Sequence, residues 1–128
     1  MESINDAALL DVLGQVPALC PDFGGAVLAT RDGLVLAAIG DYRGDTPAAC
    51  AASLSVHLQD DLQPLASGDT EAVLNEVLIF GDATLWYLSR LTAGHLLLLC
   101  SRQTVHVGAV RLAGQTTAMR LNRWLIPG

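Results

Sequence analysis

Residues 24–40 read GGAVLATRDGLVLAAIG, two apolar runs on either side of the polar tip Thr30-Arg31-Asp32-Gly33. Asp-Gly between β-rich runs is the strongest short-range signal for a hairpin, because glycine accepts the positive φ that tight hairpin turns demand. Ala26 and Leu28 alternate with Val27 and Ala29, and residues 34–39 are apolar without a break. Both faces of such a hairpin are apolar, so the sheet it belongs to is expected to be covered on both sides. The chain has 128 residues, 52% hydrophobic and 16% charged. That suits a single domain over residues 1–128 with one core, and it is not the composition of a disordered chain.

Helical and extended patterns alternate around the hairpin. Ser3-Ile4-Asn5-Asp6 has the form of a capping box with an acid in the first turn. Leu9, Leu10, Leu13 and Val16 follow at helical spacing until Pro17 stops the run. Gly14 weakens this helix and is expected to permit close packing. Beyond the hairpin and a polar loop, Asp45-Thr46-Pro47 reads as a helix start, a capping side chain and then proline where its missing N–H costs nothing. This second helix is expected to run to Ala66, kinked or ended early by Pro64, with Gly68 as its stop. Ala51, Leu54, Leu58, Leu62 and Leu65 make its core stripe. Ala48, Ala52, Ser55 and Gln59 make a second stripe of mostly small side chains, either an ordinary exposed face or a contact face for another subunit or protein.

Three extended segments follow, at 71–80 (interrupted by Asn75 and Glu76), 84–91 and 95–101, the last almost wholly apolar and suited to the middle of a sheet. A last helix begins near 104–107. Its expected buried stripe is Val107, Val110, Gly114, Thr117, Ala118, Leu121, Trp124 and Leu125, with Gly114 allowing close approach to the sheet. Arg111, Arg120 and Arg123 fall mainly on the outer surface, and the sequence closes on Pro127-Gly128.

Charge excludes some partners. The net charge of −6 argues against nucleic acid, whose phosphates need a cationic surface. The charge is also unevenly placed. Through Asp82 there are two arginines against all thirteen acids, a balance of −11; beyond it five arginines and no acid give +5, and lysine is absent. The division reads either as plain solvation or as an acidic face for a partner and complementary faces for self-association. The acidic start lacks a basic leader and no apolar run is long enough to span a bilayer, so a soluble, cytoplasmic protein without membrane attachment is expected.

Chemistry is sparse. Cys20, Cys50 and Cys100 are widely spaced with no C-x-x-C, and read as buried or half-buried thiols in a reducing compartment. His57, His95 and His106 lack metal-ligand spacing. There is no nucleophile elbow and no phosphate loop with lysine. Asp60-Asp61 point in different directions from a helix, unlike a catalytic carboxylate pair. Arg31 at the hairpin tip reads as a solvated side chain or as an arginine offered to a nucleotide phosphate. No catalytic residue, metal or cofactor is expected.

The order helix, hairpin, helix, three strands, helix resembles the roadblock / dynein light chain family, including its bacterial MglB-like members. The matching residues are Val16-Pro17, the run from Gly25 to Ala37, Leu96 to Leu99, and Val107-Gly108-Ala109-Val110-Arg111, which is similar to the opening of the family's last helix. The resemblance covers nearly the whole chain. It implies an α+β fold of three α/β/α layers, profilin-like, with a five-stranded antiparallel sheet, the second helix on one face and the first and last helices on the other. It also implies a homodimer joined through the third strand and second helix, at Ala48, Ala52, Ser55, Val73, Asn75, Val77 and Ile79. The implied activity is non-catalytic, regulation or scaffolding of a Ras-like small GTPase that meets Ser55, Gln59 and Asp60 together with Asp41 and Arg43. The chain ends soon after the last helix, so GTPase binding is expected more firmly than GTPase activation. A small-ligand sensor or adaptor of the PAS or profilin type is the alternative; it would need a cavity between sheet and helix with polar groups to orient a ligand.

Overall fold

The computed structural model describes residues 3–125, with side-chain surroundings from Asp6 onward. The capping side chain at Ser3 lies outside the described residues. The elements are α1 (Ser3–Gly14), α2 (Val16–Leu19), β1 (Phe23–Ala29), β2 (Val35–Gly40), α3 (Thr46–Leu62), β3 (Glu76–Phe80), β4 (Leu85–Arg90), β5 (Leu96–Ser101) and α4 (Val107–Leu125). The strands form one antiparallel sheet in the order β2-β1-β5-β4-β3. The second helix expected from sequence is α3.

The apolar run of β5 takes the centre of the sheet, with all six residues buried, because only a strand covered on both faces tolerates leucine at every position. Successive side chains go to opposite faces. Ala26, Leu28, Leu85, Tyr87, Leu97 and Leu99 pack with Leu9, Leu13, Val16, Val110 and Leu121 of α1, α2 and α4. Val27, Ala29, Leu88, Leu96 and Leu98 pack with Ala48 and Ala51 of α3. The fold is therefore α+β in three layers, with α3 on one face and α1 and α4 on the other. Each fully buried leucine contributes roughly 2 kcal/mol of transfer free energy, so both cores matter to the whole.

The hairpin forms at its Asp-Gly tip. Gly33 has a φ of 92°, its N–H donates to the Thr30 carbonyl at 3.0 Å, and the Leu34 N–H donates to Thr30 Oγ1 at 3.0 Å. The tip is longer than its sequence suggests, and Leu34 leaves the strand at 67% exposure. Gly114 does what its place in the stripe demands: a Cβ there would overlap the Tyr87 ring.

Several local expectations are corrected. Pro17 does not stop the helical run; it sits in the first turn of α2, where no N–H is needed. Val12 rather than Leu10 completes the buried stripe, and Leu10 is exposed. A Cβ at Gly14 would meet nothing, so no close packing depends on it. Asp45 caps α3 with its carbonyl, which accepts the Ala49 N–H at 3.1 Å, and not with its side chain. After Leu62 the chain tightens into a 3-10 turn, Gln63–Leu65, built around Pro64, which turns Leu65 out of the core to 77% exposure. Trp124 is likewise exposed at the end of α4.

The segment expected as a strand over 71–80 is regular only from Glu76. Side-chain amides hold the part before it. Gln59 Oε1 accepts the Leu74 N–H at 2.7 Å, Gln63 Oε1 accepts the Ala72 N–H at 3.1 Å, and both Nε2 groups donate to the Ala72 carbonyl. Gln59 of α3 and Gln63 of the turn that follows it thus stand in for a neighbouring strand at Ala72 and Leu74.

Candidate interaction surface

β3, which with β2 forms the two edges of the sheet, is paired with β4 on one side only among the described residues. Leu78 packs towards the α1 and α4 core and Val77 towards the α3 core, while Phe80 is 57% exposed. Between this edge and α3 lies an apolar cleft of about 400 Å³, lined by Tyr42, Thr46, Pro47, Cys50, Leu54, Ile79, Trp86 and Leu98. The positions of Pro47, Cys50 and Leu54, three and four apart, place them along one side of α3. Trp86 stands opposite Ile79 in the β3–β4 register and donates through Nε1 to the Tyr42 hydroxyl at 2.6 Å. Tyr42 itself lies against Gly25, where a Cβ would come within 2.9 Å of its ring. Burial, followed by the Cys100 thiol, pushes the Tyr42 hydroxyl pKa up, so it stays protonated through the neutral range.

The residues proposed from sequence fall in different places. Ala48 is fully buried on the sheet-facing side of α3, so its small side chain serves the subunit's own core. Ala52 is half-buried under the hairpin tip, 3.4 Å from where a Cβ on Gly33 would lie. The side of α3 that faces the open sheet edge is that of Pro47, Cys50 and Leu54, not Ala48, Ala52 and Ser55. Ser55 and Gln59 border a separate cleft of about 270 Å³ with Arg31, Glu71 and Arg90. Gln59 is committed to Ala72 and Leu74 and is not a free contact residue. Asp60 and Val73 are exposed. Asn75 is exposed and extends the β4 pairing, its carbonyl accepting the Arg90 N–H at 2.8 Å. Asp41 and Arg43 are exposed beyond the other end of α3, and Asp41 accepts Arg102 Nη2 at 2.5 Å. Thr46 and Ser55 are about 14 Å apart along the helix, so the two halves of the GTPase-facing set lie towards opposite ends of α3.

A polar cluster behind β3 escaped the sequence reading. Tyr87 donates its hydroxyl to Glu76 Oε1 at 2.8 Å; Arg111 Nε donates to Glu76 Oε2 at 2.9 Å, and its Nη2 joins the same oxygen. Arg111 first, then the Tyr87 and Gln115 hydrogen bonds, hold the Glu76 carboxyl below the usual carboxylate range against a smaller opposing effect of burial. Burial and the Glu76 contact push Tyr87 up to about 12. Glu76 had read as an interruption of its strand; the only hint of its role was one acid among apolar neighbours, and its partners are 11 and 35 residues away.

Cys20 and Cys100 are buried, as expected, while Cys50 is exposed at the cleft. Burial pushes Cys20 up to about 11, which suppresses its thiolate. His57 and His106 are exposed, and His57 Nδ1 is 2.8 Å from the Ser53 carbonyl. Among the described residues no group of three His, Cys, Asp or Glu side chains converges on a metal position, and no helix is long and apolar enough to cross a membrane. Arg31 lies along the Gly94 turn.

No family model matches the sequence, and no curated protein matches it. Solved structures do. The gliding protein MglB from Thermus thermophilus is 23% identical, with a TM-score of 0.82 over 97% of this chain and 93% of that one. An MglB with a tetrameric arrangement is 25% identical, with a TM-score of 0.81 over 97% and 92%. A Roadblock/LC7 domain from Streptomyces avermitilis is 20% identical, with a TM-score of 0.79 over 92% and 98%. From α1 to α4, with the hairpin, the central β5 and the free β3 edge in place, this chain has the roadblock/LC7 fold in its MglB-like form.

Proposed function

We propose that this chain is a non-catalytic roadblock-domain regulator or scaffold, which pairs with a second copy along β3 and binds a Ras-like small GTPase in the cytoplasm. The observation that carries the reading is the free β3 edge beside the apolar cleft of Tyr42, Pro47, Cys50, Leu54, Ile79 and Trp86. An unpaired strand edge next to apolar surface is an aggregation liability, and an isologous contact removes it. Val77 and Ile79 stay in the proposed interface, with Val73 and Asn75 at its margin; Pro47, Cys50 and Leu54 replace the small-residue stripe. The likeness to MglB supports a regulatory role over an enzymatic one. The GTPase would meet the joined α3 helices, at Ser55 and Asp60 or at the Asp41 and Arg43 end. A small-ligand sensor is disfavoured because the cleft is apolar and its Tyr42 hydroxyl is already engaged by Trp86.

The test has two steps. Sedimentation at low concentration should give twice the subunit mass. Immobilised protein should then retain a Ras-like GTPase from the host's set, compared in GDP-bound and GTP-bound states. Retention in neither state removes the GTPase reading, and a monomer removes the pairing.

A further inference from the structure

Two surfaces lying on opposite sides of the sheet complement each other; the α4 one lies away from the β3 edge, and the other reaches the margin of the proposed β3 interface at Val73. On α4 the side opposite the buried Val110, Ala113, Thr117 and Leu121 carries Leu112 at 63% and Met119 at 56% exposure, with Val105 at 69% just ahead of the helix. Large side chains so exposed, two turns apart on one helix side, mark an unpartnered surface. Every charge that α4 itself contributes is positive, although Asp11 of the adjoining α1 lies beside Gln15 at its border. No carboxylate occurs between residues 83 and 125. Arg111 is balanced by Glu76, but Arg120 donates to the neutral Gln15 at 2.8 Å, and Arg123 is exposed.

The second surface is the far end of α3. Asp60, Asp61 and Asp69 are exposed there around two more projecting apolar side chains, Leu65 at 77% and Val73 at 51%. The Gln59 and Gln63 amides pin the 72–74 backbone to the helix and so keep these residues together. Arg31 and Arg90 offset part of the negative charge along one border.

We propose that the α4 surface of one copy docks on the α3-end surface of another, apolar centre on apolar centre and arginine against aspartate. Two α4 surfaces would oppose like charges, as would two α3 ends, so the contact is between unlike faces. Each copy then keeps one face of each kind free. Such a head-to-tail contact does not close in a pair; it builds rings or chains from the β3-joined unit, or from single subunits. The β3 pairing is apolar and the head-to-tail contact is charged, so salt separates them.

The experiment is sedimentation against concentration at about 50 mM and about 500 mM salt, where the screening length falls severalfold. Mass should climb with concentration at low salt and fall back at high salt to the β3-joined unit. Arg120→Glu with Arg123→Glu should weaken assembly at least about tenfold, as should Asp60→Arg with Asp61→Arg. Mixing the two doubly reversed proteins should restore an equimolar contact, because the first keeps its native α3 end and the second its native α4 surface, and their two reversed faces are complementary as well. All these positions are at the surface, and circular dichroism checks that each variant folds. Mass that ignores salt and concentration overturns the proposal, as does failure of the mixture to recover. Binding of anionic vesicles that requires Leu112 and Met119, with no self-assembly, would reassign the α4 surface to a membrane and also overturn it. A persistent dimer without higher assembly would sink this contact and leave the β3 pairing intact.

Discussion

The Tyr87 hydroxyl donates to Glu76 Oε1 across 2.8 Å, joining two strands on the face that α4 covers. The same carboxylate receives Arg111 from α4, so one acid connects the edge strand, its neighbour and the helix above them. Glu76→Gln should destabilise the fold by about 1–2 kcal/mol, the range for a charge-assisted hydrogen bond, discounted because the Arg111 side chain is half in solvent. Glu76 is held below its ordinary value in the folded protein. Its stabilisation is therefore complete above the unfolded value of about 4.3 and is lost as pH falls through the lower native one. Tyr87 has the opposite sign and is raised to about 12, so its contribution is complete below the unfolded value of about 10 and is lost as pH rises towards the native one. Urea unfolding of both forms across pH should show the gap between wild type and Glu76→Gln closing at the acid end. A gap that persists at low pH would contradict the assignment.

Gly114→Ala should lower stability by about 1–3 kcal/mol, because the new methyl overlaps the Tyr87 ring and overpacking outweighs the helical gain. Gly108→Ala is the control. Its Cβ would enter open space on the same helix, so it should be neutral or stabilising by a few tenths of a kcal/mol. Thermal melts of the two variants should move apart.

Removing Gln59 should loosen one backbone amide and spare another. In Gln59→Ala the Leu74 N–H loses its acceptor, while the Ala72 N–H keeps Gln63. Hydrogen exchange should accelerate at Leu74 first, and overall stability should fall by about 1 kcal/mol. Equal acceleration at both amides would mean the segment opens as a unit.

The thiols report on the cleft. Cys50 should react fast with a thiol reagent, while Cys20 and Cys100, buried in the core, react only on unfolding. Pairing along β3 should slow Cys50 as protein concentration rises. Cys50→Arg should leave the single subunit folded, because the charge stays in water, yet split the pair by burying an unpartnered cation at its interface. Ala48→Arg should unfold the chain, since that position is fully buried in one subunit. A dimer that survives Cys50→Arg would move the interface elsewhere.

The sequence by itself determined the parts whose cause is local. The Asp32-Gly33 tip makes its hairpin, Pro47 opens α3, and the unbroken leucines of β5 demand the middle of a covered sheet. It also carried the layer order through family resemblance and marked Gly114 as a place of close approach. Tertiary structure alone decided which side of α3 faces the open edge. A stripe of alanines reads equally well as core or as contact, and Ala48 became core because α3 turns it onto the buried sheet face of Val27, Leu88, Leu96 and Leu98. It alone decided that Glu76 is a strand residue tied to Tyr87 and Arg111, and that Gln59 and Gln63 serve as backbone partners. Those bonds join residues up to 35 positions apart, and no local propensity encodes a distance in space that chain folding has yet to create.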